Sequence, residues 1–95
     1  MAIYKLTPDA EQDLSHIYQW GYETFGEEQA DLYFLGLLDR FEAVASNPLQ
    51  YTNVDHIYEG ARRALYGRDS IYFLTIEDGI IIIGVIGQQD LEGRF

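Results

Sequence analysis

The first half of the chain repeats its apolar positions with the period of an α-helix. Residues 2–6 alternate loosely and predict a short strand, after which Thr7-Pro8 supplies a hydroxyl N-cap and a proline at the first helical position. One apolar stripe follows at spacings of four, three and four residues, formed by Ala10, Leu14, Ile17 and Gly21. This spacing predicts a first helix that buries one face.

A second helical pattern begins after Gly26, where we expect the chain to break between two helices. Its apolar positions are Ala30, Tyr33, Phe34, Leu37, Leu38, Phe41, Val44 and Ala45. Asn47-Pro48 ends the pattern, because the residue before a proline is disfavoured in the helical region. The short connection predicts that the two helices form an antiparallel hairpin.

The pattern changes after an irregular loop that we place at residues 48–60. Arg62 to Tyr66 predicts a strand, Gly67 to Asp69 a turn, and Ser70 to Ile76 a second strand. Asp78-Gly79 then predicts a tight hairpin turn into a last strand at Ile80–Ile86. The predicted order is β-α-α-β-β-β, an α+β fold in which a small antiparallel sheet carries the N-terminal helical hairpin on one face. We expect residues 1–95 to form a single domain.

Both faces of the last two strands are apolar. In the first of these strands, strict alternation places Ile71 and Phe73 on one face of the sheet and Tyr72, Leu74 and Ile76 on the other face. In the last strand it places Ile80, Ile82 and Ile86 on one face and Ile81, Ile83 and Val85 on the other. Two helices cover one face only. Each large side chain on the other face is worth about 1.5–3 kcal/mol when buried, and a small domain has only about 5–15 kcal/mol of stability. We therefore expect that face to be covered by the loop at residues 48–60, by a second copy of the chain or by a dedicated partner.

The charge of the chain disfavours direct binding to nucleic acid. The formal net charge is −10, with six basic and sixteen acidic residues. Such a field repels phosphate groups, and the counterion release that drives most nucleic-acid binding requires clustered Lys and Arg. The acidic residues form a solvated helical surface, attract a basic partner segment, or do both. The chain has no Cys, no signal peptide and no apolar run long enough to cross a membrane, so we expect a cytoplasmic protein.

Several segments of the chain form motifs that occur together in one known family. Leu6-Thr7-Pro8-Asp9-Ala10-Glu11-Gln12-Asp13-Leu14, followed by Ile17, resembles the opening of the ParE branch of the ParE/RelE toxin superfamily, and the resemblance covers about nine-tenths of the chain. Further similar segments are Gly26 with Gln29-Ala30 and Tyr33, Phe41-Glu42 through Asn47-Pro48, Glu59-Gly60-Ala61-Arg62-Arg63, Gly67, Ser70-Ile71-Tyr72-Phe73, and Val85-Ile86-Gly87-Gln88-Gln89-Asp90. None of these motifs is specific alone, but together they follow the order of the family.

The resemblance implies the toxin of a bacterial type II toxin–antitoxin pair. It implies inhibition of DNA gyrase through protein binding, with no catalytic residue, cofactor or metal of the toxin's own, and a cognate antitoxin with a DNA-binding N-terminal domain. The flexible C-terminal part of that antitoxin would wrap around the toxin. Two positions depart from the family, since many relatives have His and Arg where this chain has Gly87 and Gln89. These departures raise the alternative of an attenuated, non-toxic relative that still binds the antitoxin.

A second alternative is a RelE-type ribosome-dependent mRNA endonuclease on the same fold. That chemistry requires cationic groups at the scissile phosphate and groups that move protons. The chain offers Arg62, Arg63 and either Tyr66 or Tyr72, without a lysine cluster. Six basic residues against sixteen acidic ones are few for docking on ribosomal RNA.

Eight residues are candidates for contact with antitoxin or gyrase: Arg62, Arg63, Tyr72, Leu74, Gln88, Gln89, Asp90 and Arg94. Arg62 and Arg63 are the only adjacent basic pair, and alternation sends them to opposite faces; pairing with Asp55 or Glu59 is the alternative. Tyr72 and Leu74 lie on the same face of the sheet, and the helices can cover only one of the two faces. The last four follow the final strand, where a polar tail either reaches a partner or is simply a solvated terminus.

Three further residue types have open roles. His16 and His56 lack the spacing of metal ligands, and we expect ordinary surface or helix positions for both. Trp20 lies off the main stripe of the first helix, where it covers the edge of the helix or takes part in a contact. Gly84 within the last strand predicts either a close backbone approach or a bulge.

Overall fold

The computed structural model describes residues 2–87 and 90–95, and this part of the chain contains two α-helices and a five-stranded sheet. The elements in chain order are β1 (Ile3–Leu6), α1 (Pro8–Phe25), α2 (Glu27–Ser46), a 3-10 turn (Pro48–Gln50), β2 (Thr52–Asn53), β3 (Arg62–Tyr66), β4 (Asp69–Ile76) and β5 (Gly79–Ile86). The predicted α+β class and element order are confirmed. The two-residue strand β2 is an addition within the segment predicted as a loop. Within the described ranges, neither helix combines the length and the low charge content that a membrane span requires.

Both predicted helices are present, and local chemistry sets their ends. The Thr7 hydroxyl oxygen accepts a hydrogen bond from the Ala10 backbone N–H at 3.2 Å, which caps α1. The helices meet at Gly26, whose φ of 93° is a conformation that favours glycine. They approach closely where Gly21 faces Ala30, since a Cβ at Gly21 would lie 3.6 Å from the Ala30 Cβ.

The sheet is mixed, whereas the sequence predicted an antiparallel one. Its strand order is β1-β5-β4-β3-β2, and β1 runs parallel to β5 while the other pairs are antiparallel. Short turns force β3, β4 and β5 to alternate in direction, but β1 reaches β5 only after a long connection that leaves its direction free. Gly79 lies opposite Ile3 in this pair. A Cβ at Gly79 would overlap the Ile3 carbonyl, so the close approach of β1 requires glycine there.

The two helices cover one face of the sheet and enclose the larger core. Leu37 and Phe41 of α2 are fully buried and belong to the same cluster as Phe73 and Ile80 of the sheet. The Tyr4 ring meets the Phe41 ring edge-on, with centroids 5.4 Å apart. The predicted helical stripes therefore bury the predicted strands, as an amphipathic hairpin on a sheet should.

The opposite face is covered by the chain itself at its centre. Tyr72 is only 1% exposed. The centroid of its ring lies 5.5 Å from that of the Phe95 ring. The Phe95 centroid in turn lies 5.6 Å from that of Tyr58, which belongs to the loop at residues 48–60, called the long loop below. A second, smaller core joins Tyr72 to Val54, Ala61 and Ile86. Of the three sources of cover that the sequence left open, the loop at residues 48–60 supplies part of this cover. The C-terminal segment (residues 90–95), which the sequence did not suggest as cover, supplies another part. A partner is not needed to bury Tyr72, while Leu74, Ile76, Ile81 and Ile83 stay half-buried.

A bulge in β5 changes which side chains share a face. The pairs on either side of it are Phe73↔Ile82 and Tyr72↔Gly84. Ile83 therefore has no residue opposite it, and the alternation shifts by one position. Val85 joins the helix-side core and Ile86 joins the smaller core. The prediction from strict alternation placed these two residues on the reverse faces and is wrong beyond the bulge.

Candidate functional site

Beyond the last residue of β5 that pairs with β1, a backbone N–H of β5 is directed at α1, where a carboxylate accepts it. The Val85 N–H donates to Asp13 Oδ2 at 3.0 Å. The two Asp13 oxygens also receive the Arg94 guanidinium, with Nη1 2.8 Å from Oδ1 and Nη2 2.8 Å from Oδ2. Arg94 Nη2 donates in addition to the Ile83 carbonyl at 3.2 Å. We call Asp13, Val85 and Arg94 the Asp13 clamp, because they fasten the C-terminal segment to the bulge.

The Asp13 clamp is largely shielded from solvent. The side chains of Asp13 and Arg94 are 12% and 18% exposed. The hydrogen bond to Asp13 raises the pKa of Arg94, and this outweighs the opposite effect of burial. Gly84 makes room for the segment, since a Cβ there would lie 3.1 Å from Phe95 Cζ and 3.3 Å from Arg94 Nη2. Gly84 thus provides the close approach that the sequence suggested, and it lies at the bulge as well.

A cleft of about 530 Å³ lies beside the Asp13 clamp, between α1, the β3–β4 turn, the end of β5 and the C-terminal segment. Its charged lining consists of three carboxylates and two guanidinium groups, from Asp13, Asp69, Asp90, Arg68 and Arg94. His16 and Trp20 add an imidazole and an indole ring to the lining. Mixed charges of this kind suit polar and charged groups of a protein segment better than they suit a run of phosphates.

Arg68 in the β3–β4 turn is surrounded by aromatic rings. Its guanidinium carbon lies 4.2 Å from the Trp20 ring centroid, 4.9 Å from that of Tyr33 and 5.8 Å from that of Phe25. We call these four residues the Arg68 cluster. Trp20 is 49% exposed and Phe25 57%, so Trp20 both covers the edge of α1 and remains available for contact. Trp and Arg are the residue types most enriched at the centres of protein interfaces.

Tyrosine hydroxyls tie the helical hairpin together and to the β3–β4 turn. The Tyr33 hydroxyl donates to Asp69 Oδ2 at 2.7 Å and lies 3.1 Å from the Tyr66 carbonyl. Burial, reinforced by the hydrogen bond to Asp69, raises the pKa of Tyr33 well above its ordinary range. Tyr18 donates to Asp31 at 2.6 Å, and this hydrogen bond raises the pKa of Tyr18 to about 12. Both bonds require the neutral phenol, so they hold throughout the physiological pH range.

The two adjacent arginines lie on opposite faces of β3, as predicted. Arg62 pairs with Phe73 on the helix side, and Arg63 pairs with Tyr72 on the other. Arg62 Nη1 donates to the Tyr51 carbonyl at 2.7 Å, so it holds the start of the long loop. Within the described part of the chain neither arginine forms a salt bridge to Asp55 or Glu59, and that alternative is wrong.

The remaining predicted site residues are in different environments. Tyr72 is buried under Phe95, Leu74 is half-buried on the same face, and Asp90 is exposed. Gln88 and Gln89 lie outside the described residues. Partner contact by these residues, as by Arg62, Arg63 and Arg94, stays a prediction. What the structure brings together is Arg63, Tyr72 and Leu74 on the far sheet face, with Asp90 and Arg94 beside the cleft.

Sequence reasoning gave no role to Asp13 or Arg68. The sequence did contain a signal for Asp13. Its carboxylate lies next to Leu14 on the apolar side of α1, where a charged group requires a buried partner. No signal marked Arg68, since a single cation in a turn is usually solvated. His16 and His56 are exposed as expected. Across residues 2–87 and 90–95, no three His, Cys, Asp or Glu side chains are grouped to hold a metal ion.

Comparison with known proteins places the chain in a family. The model of the family described as "ParE toxin of type II toxin-antitoxin system, parDE" matches residues 4–91. Toxin ParE1 from two strains of Mycobacterium tuberculosis is 28% identical to the chain over 87 residues, which cover 90% of this chain and 89% of the relative. A solved structure from P. aeruginosa, described as a chromosomal ParDE TA system, has a similar fold, with a TM-score of 0.77 and 20% identity over 92% of this chain and 96% of that one. The chain therefore belongs to the ParE toxin family of type II toxin–antitoxin systems.

Proposed function

We propose that this ParE-type toxin acts in the cytoplasm by binding DNA gyrase, without catalysis of its own, and that a cognate antitoxin neutralises it. The choice of gyrase and of the antitoxin rests on family membership. The choice of protein binding over nuclease chemistry rests on an observation from the structure, namely how the chain uses its few cations.

Four of the six basic side chains are engaged by the fold itself. Arg40 Nη1 donates to the Leu65 carbonyl at 2.6 Å, and Arg62 donates to the Tyr51 carbonyl at 2.7 Å. Arg94 is held by Asp13, and Arg68 lies among aromatic rings. A nuclease that cleaves ribosome-bound mRNA needs cations that can reach the scissile phosphate and the ribosomal RNA. With a net charge of −10 around these engaged groups, a protein target fits the chain better than an RNA target.

The predicted contact residues divide into two groups under this proposal. Arg63, Leu74 and Asp90, with Gln88 and Gln89, make the contact. Arg62, Tyr72 and Arg94 act indirectly, because their hydrogen bonds and packing hold the long loop and the C-terminal segment in place.

The test is a gyrase supercoiling assay with the purified, folded chain. We expect inhibition, accumulation of cleaved DNA complexes and induction of a DNA-damage reporter when the chain is expressed alone. The double variant Arg63→Ala/Leu74→Ala should require at least about tenfold more protein for the same inhibition, since each lost interface anchor costs about 1–2 kcal/mol. Lys5→Ala/Leu49→Ala removes one basic residue and one leucine from exposed positions elsewhere and should behave like the parent.

Two other outcomes would each refute part of the proposal. New transcript 5′ ends after induction, with gyrase unaffected, would establish the RelE-type nuclease. Normal growth, with tight antitoxin binding retained, would establish the attenuated relative suggested by Gly87 and Gln89. The antitoxin itself is tested by co-expressing the product of the neighbouring short reading frame, which should restore growth and co-purify with the chain.

A further inference from the structure

The outward face of α2 carries a regular stripe that no element of the described chain covers. Glu28, Leu32, Leu35, Asp39 and Glu42 follow one another at spacings of four, three, four and three residues, and all five side chains are exposed. This is the spacing of the contact positions in paired helices. Leu32 is 57% exposed and Leu35 59%, so the stripe has an apolar centre with acidic ends. We call these five residues the α2 outer stripe.

The surroundings of the α2 outer stripe are acidic throughout. Residues 8–46, which form both helices, contain nine acidic residues and one basic residue, Arg40. Arg40 points to the sheet side, where its guanidinium bonds the Leu65 carbonyl and lies 5.4 Å from the Tyr66 ring centroid. No cation of the helical hairpin therefore neutralises the stripe.

This charge pattern excludes a second copy of the chain as the occupant. In an antiparallel pair of α2 helices Glu28 would face Glu42 of the other copy, and in a parallel pair every acid would face itself. Like charges at directly opposed positions are destabilising. Anionic lipid surfaces and nucleic acids are repelled for the same reason. The occupant that fits has an apolar centre and cationic ends.

We propose that the α2 outer stripe is a docking surface for a cationic amphipathic helix of a partner protein. Two apolar side chains, three or four residues apart, would cover Leu32 and Leu35, and Lys or Arg residues on either side would face Glu28, Asp39 and Glu42. None of the predicted contact residues lies on α2, so this surface is distinct from the one proposed for gyrase. The inference goes beyond the proposed function and is tested without gyrase.

The probe is a synthetic helical peptide of about 18 residues, or five turns, with Leu at the contact positions and Lys beside them. A control peptide of the same length carries Glu in place of Lys. Binding to the full-length chain is measured by fluorescence anisotropy near physiological salt. We expect the cationic peptide to bind, the acidic peptide not to bind, and binding to weaken as salt rises.

Matched variants separate docking on the stripe from general attraction to an acidic protein. Leu32→Gln/Leu35→Gln should weaken binding by about tenfold or more. Leu49→Gln/Leu65→Gln changes two leucines elsewhere that are slightly more exposed, and it should change binding by less than about twofold.

Asp39→Asn/Glu42→Gln removes two negative charges from one end of the stripe, and the control Glu77→Gln/Asp78→Asn removes two from the β4–β5 turn. The stripe variant should weaken binding of the cationic peptide more than the control does. Circular dichroism confirms that each variant is folded. Failure of the cationic peptide to bind the parent chain overturns the proposal. So does equal weakening by the stripe variants and their controls, because that result would mean non-specific attraction.

Discussion

Replacing Asp13 by Ala should destabilise the fold more than any other single change to an acidic residue of α1. The substitution removes the carboxylate that accepts the Val85 N–H at 3.0 Å and both guanidinium nitrogens of Arg94 at 2.8 Å. It leaves a backbone donor without its partner at the bulge, and it leaves a cation of 18% exposure without its counter-ion. Both losses raise the free energy of the folded state.

The size of the effect follows from how much water can reach these groups. Breaking a fully buried ion pair costs about 3–5 kcal/mol, and an exposed pair is worth about 0–1 kcal/mol. With side chains 12% and 18% exposed, we expect a loss of about 2–3 kcal/mol for Asp13→Ala. Arg94→Ala should cost less, about 1–2 kcal/mol, because Asp13 keeps its bond to the Val85 N–H.

Urea unfolding of the full chain measures these differences directly. For a domain of this size a loss of 2–3 kcal/mol corresponds to a fall of about 10–20 °C in Tm. The double variant should lose less than the sum of the two single losses, by about 1–2 kcal/mol, because the second substitution removes a group that has already lost its partner. Glu11→Ala, an exposed acid on the same helix, is the control and should cost at most about 1 kcal/mol.

The reasoning would be refuted if Asp13→Ala and Glu11→Ala lowered the free energy of unfolding equally. It would also be refuted if the losses from Asp13→Ala and Arg94→Ala were simply additive, since the clamp would then not exist as a pair in solution.

Three further changes test other parts of the structure. Gly84→Ala places a Cβ 3.1 Å from Phe95 Cζ and should cost about 1 kcal/mol by displacing the C-terminal segment; unchanged hydrogen exchange at the Arg94 N–H would contradict this. Tyr33→Phe removes the hydroxyl that bonds Asp69 and should cost about 1–2 kcal/mol in urea unfolding at neutral pH. Folding raises the pKa of Tyr33, so the stability that its hydroxyl contributes is complete below the unfolded pKa of about 10 and falls as pH rises above that value. The parent should therefore lose stability above about pH 10 more steeply than the Phe variant. Parallel profiles of stability against pH would contradict the raised pKa of Tyr33. Arg68→Ala should change the fluorescence of Trp20, the single Trp of the chain, at a cost of about 0.5–1 kcal/mol; an identical emission spectrum would show that the cation does not lie on the ring in solution.

The helical hairpin could be derived from the sequence because every determinant is local. The Thr7-Pro8 start, the Gly26 break and the Asn47-Pro48 stop act through backbone geometry within a few residues. The β3–β4–β5 meander follows for the same reason, since its strands are joined by short turns. The membership of the family could be inferred as well, since its motifs are read along the chain.

Two features of the sheet required the tertiary structure. The parallel direction of β1 is set by packing at the end of a long connection, where no turn dictates it. The bulge at Ile83 moves Val85 and Ile86 to the reverse faces of the sheet. The sequence could not predict it, because both faces of this strand are apolar and one extra isoleucine does not change that pattern.

The sequence by itself determined the fold class, the helical hairpin, the acidic character and the family of this protein, because these depend on composition and on contacts near in sequence. Only the tertiary structure decided what covers Tyr72, how Arg94 is used and where Arg68 lies. Those answers depend on pairs such as Asp13 and Arg94, which are 81 residues apart. No local sequence pattern marks such pairs, because they meet only when the whole chain has folded. Each pair also contributes little energy and requires a specific geometry.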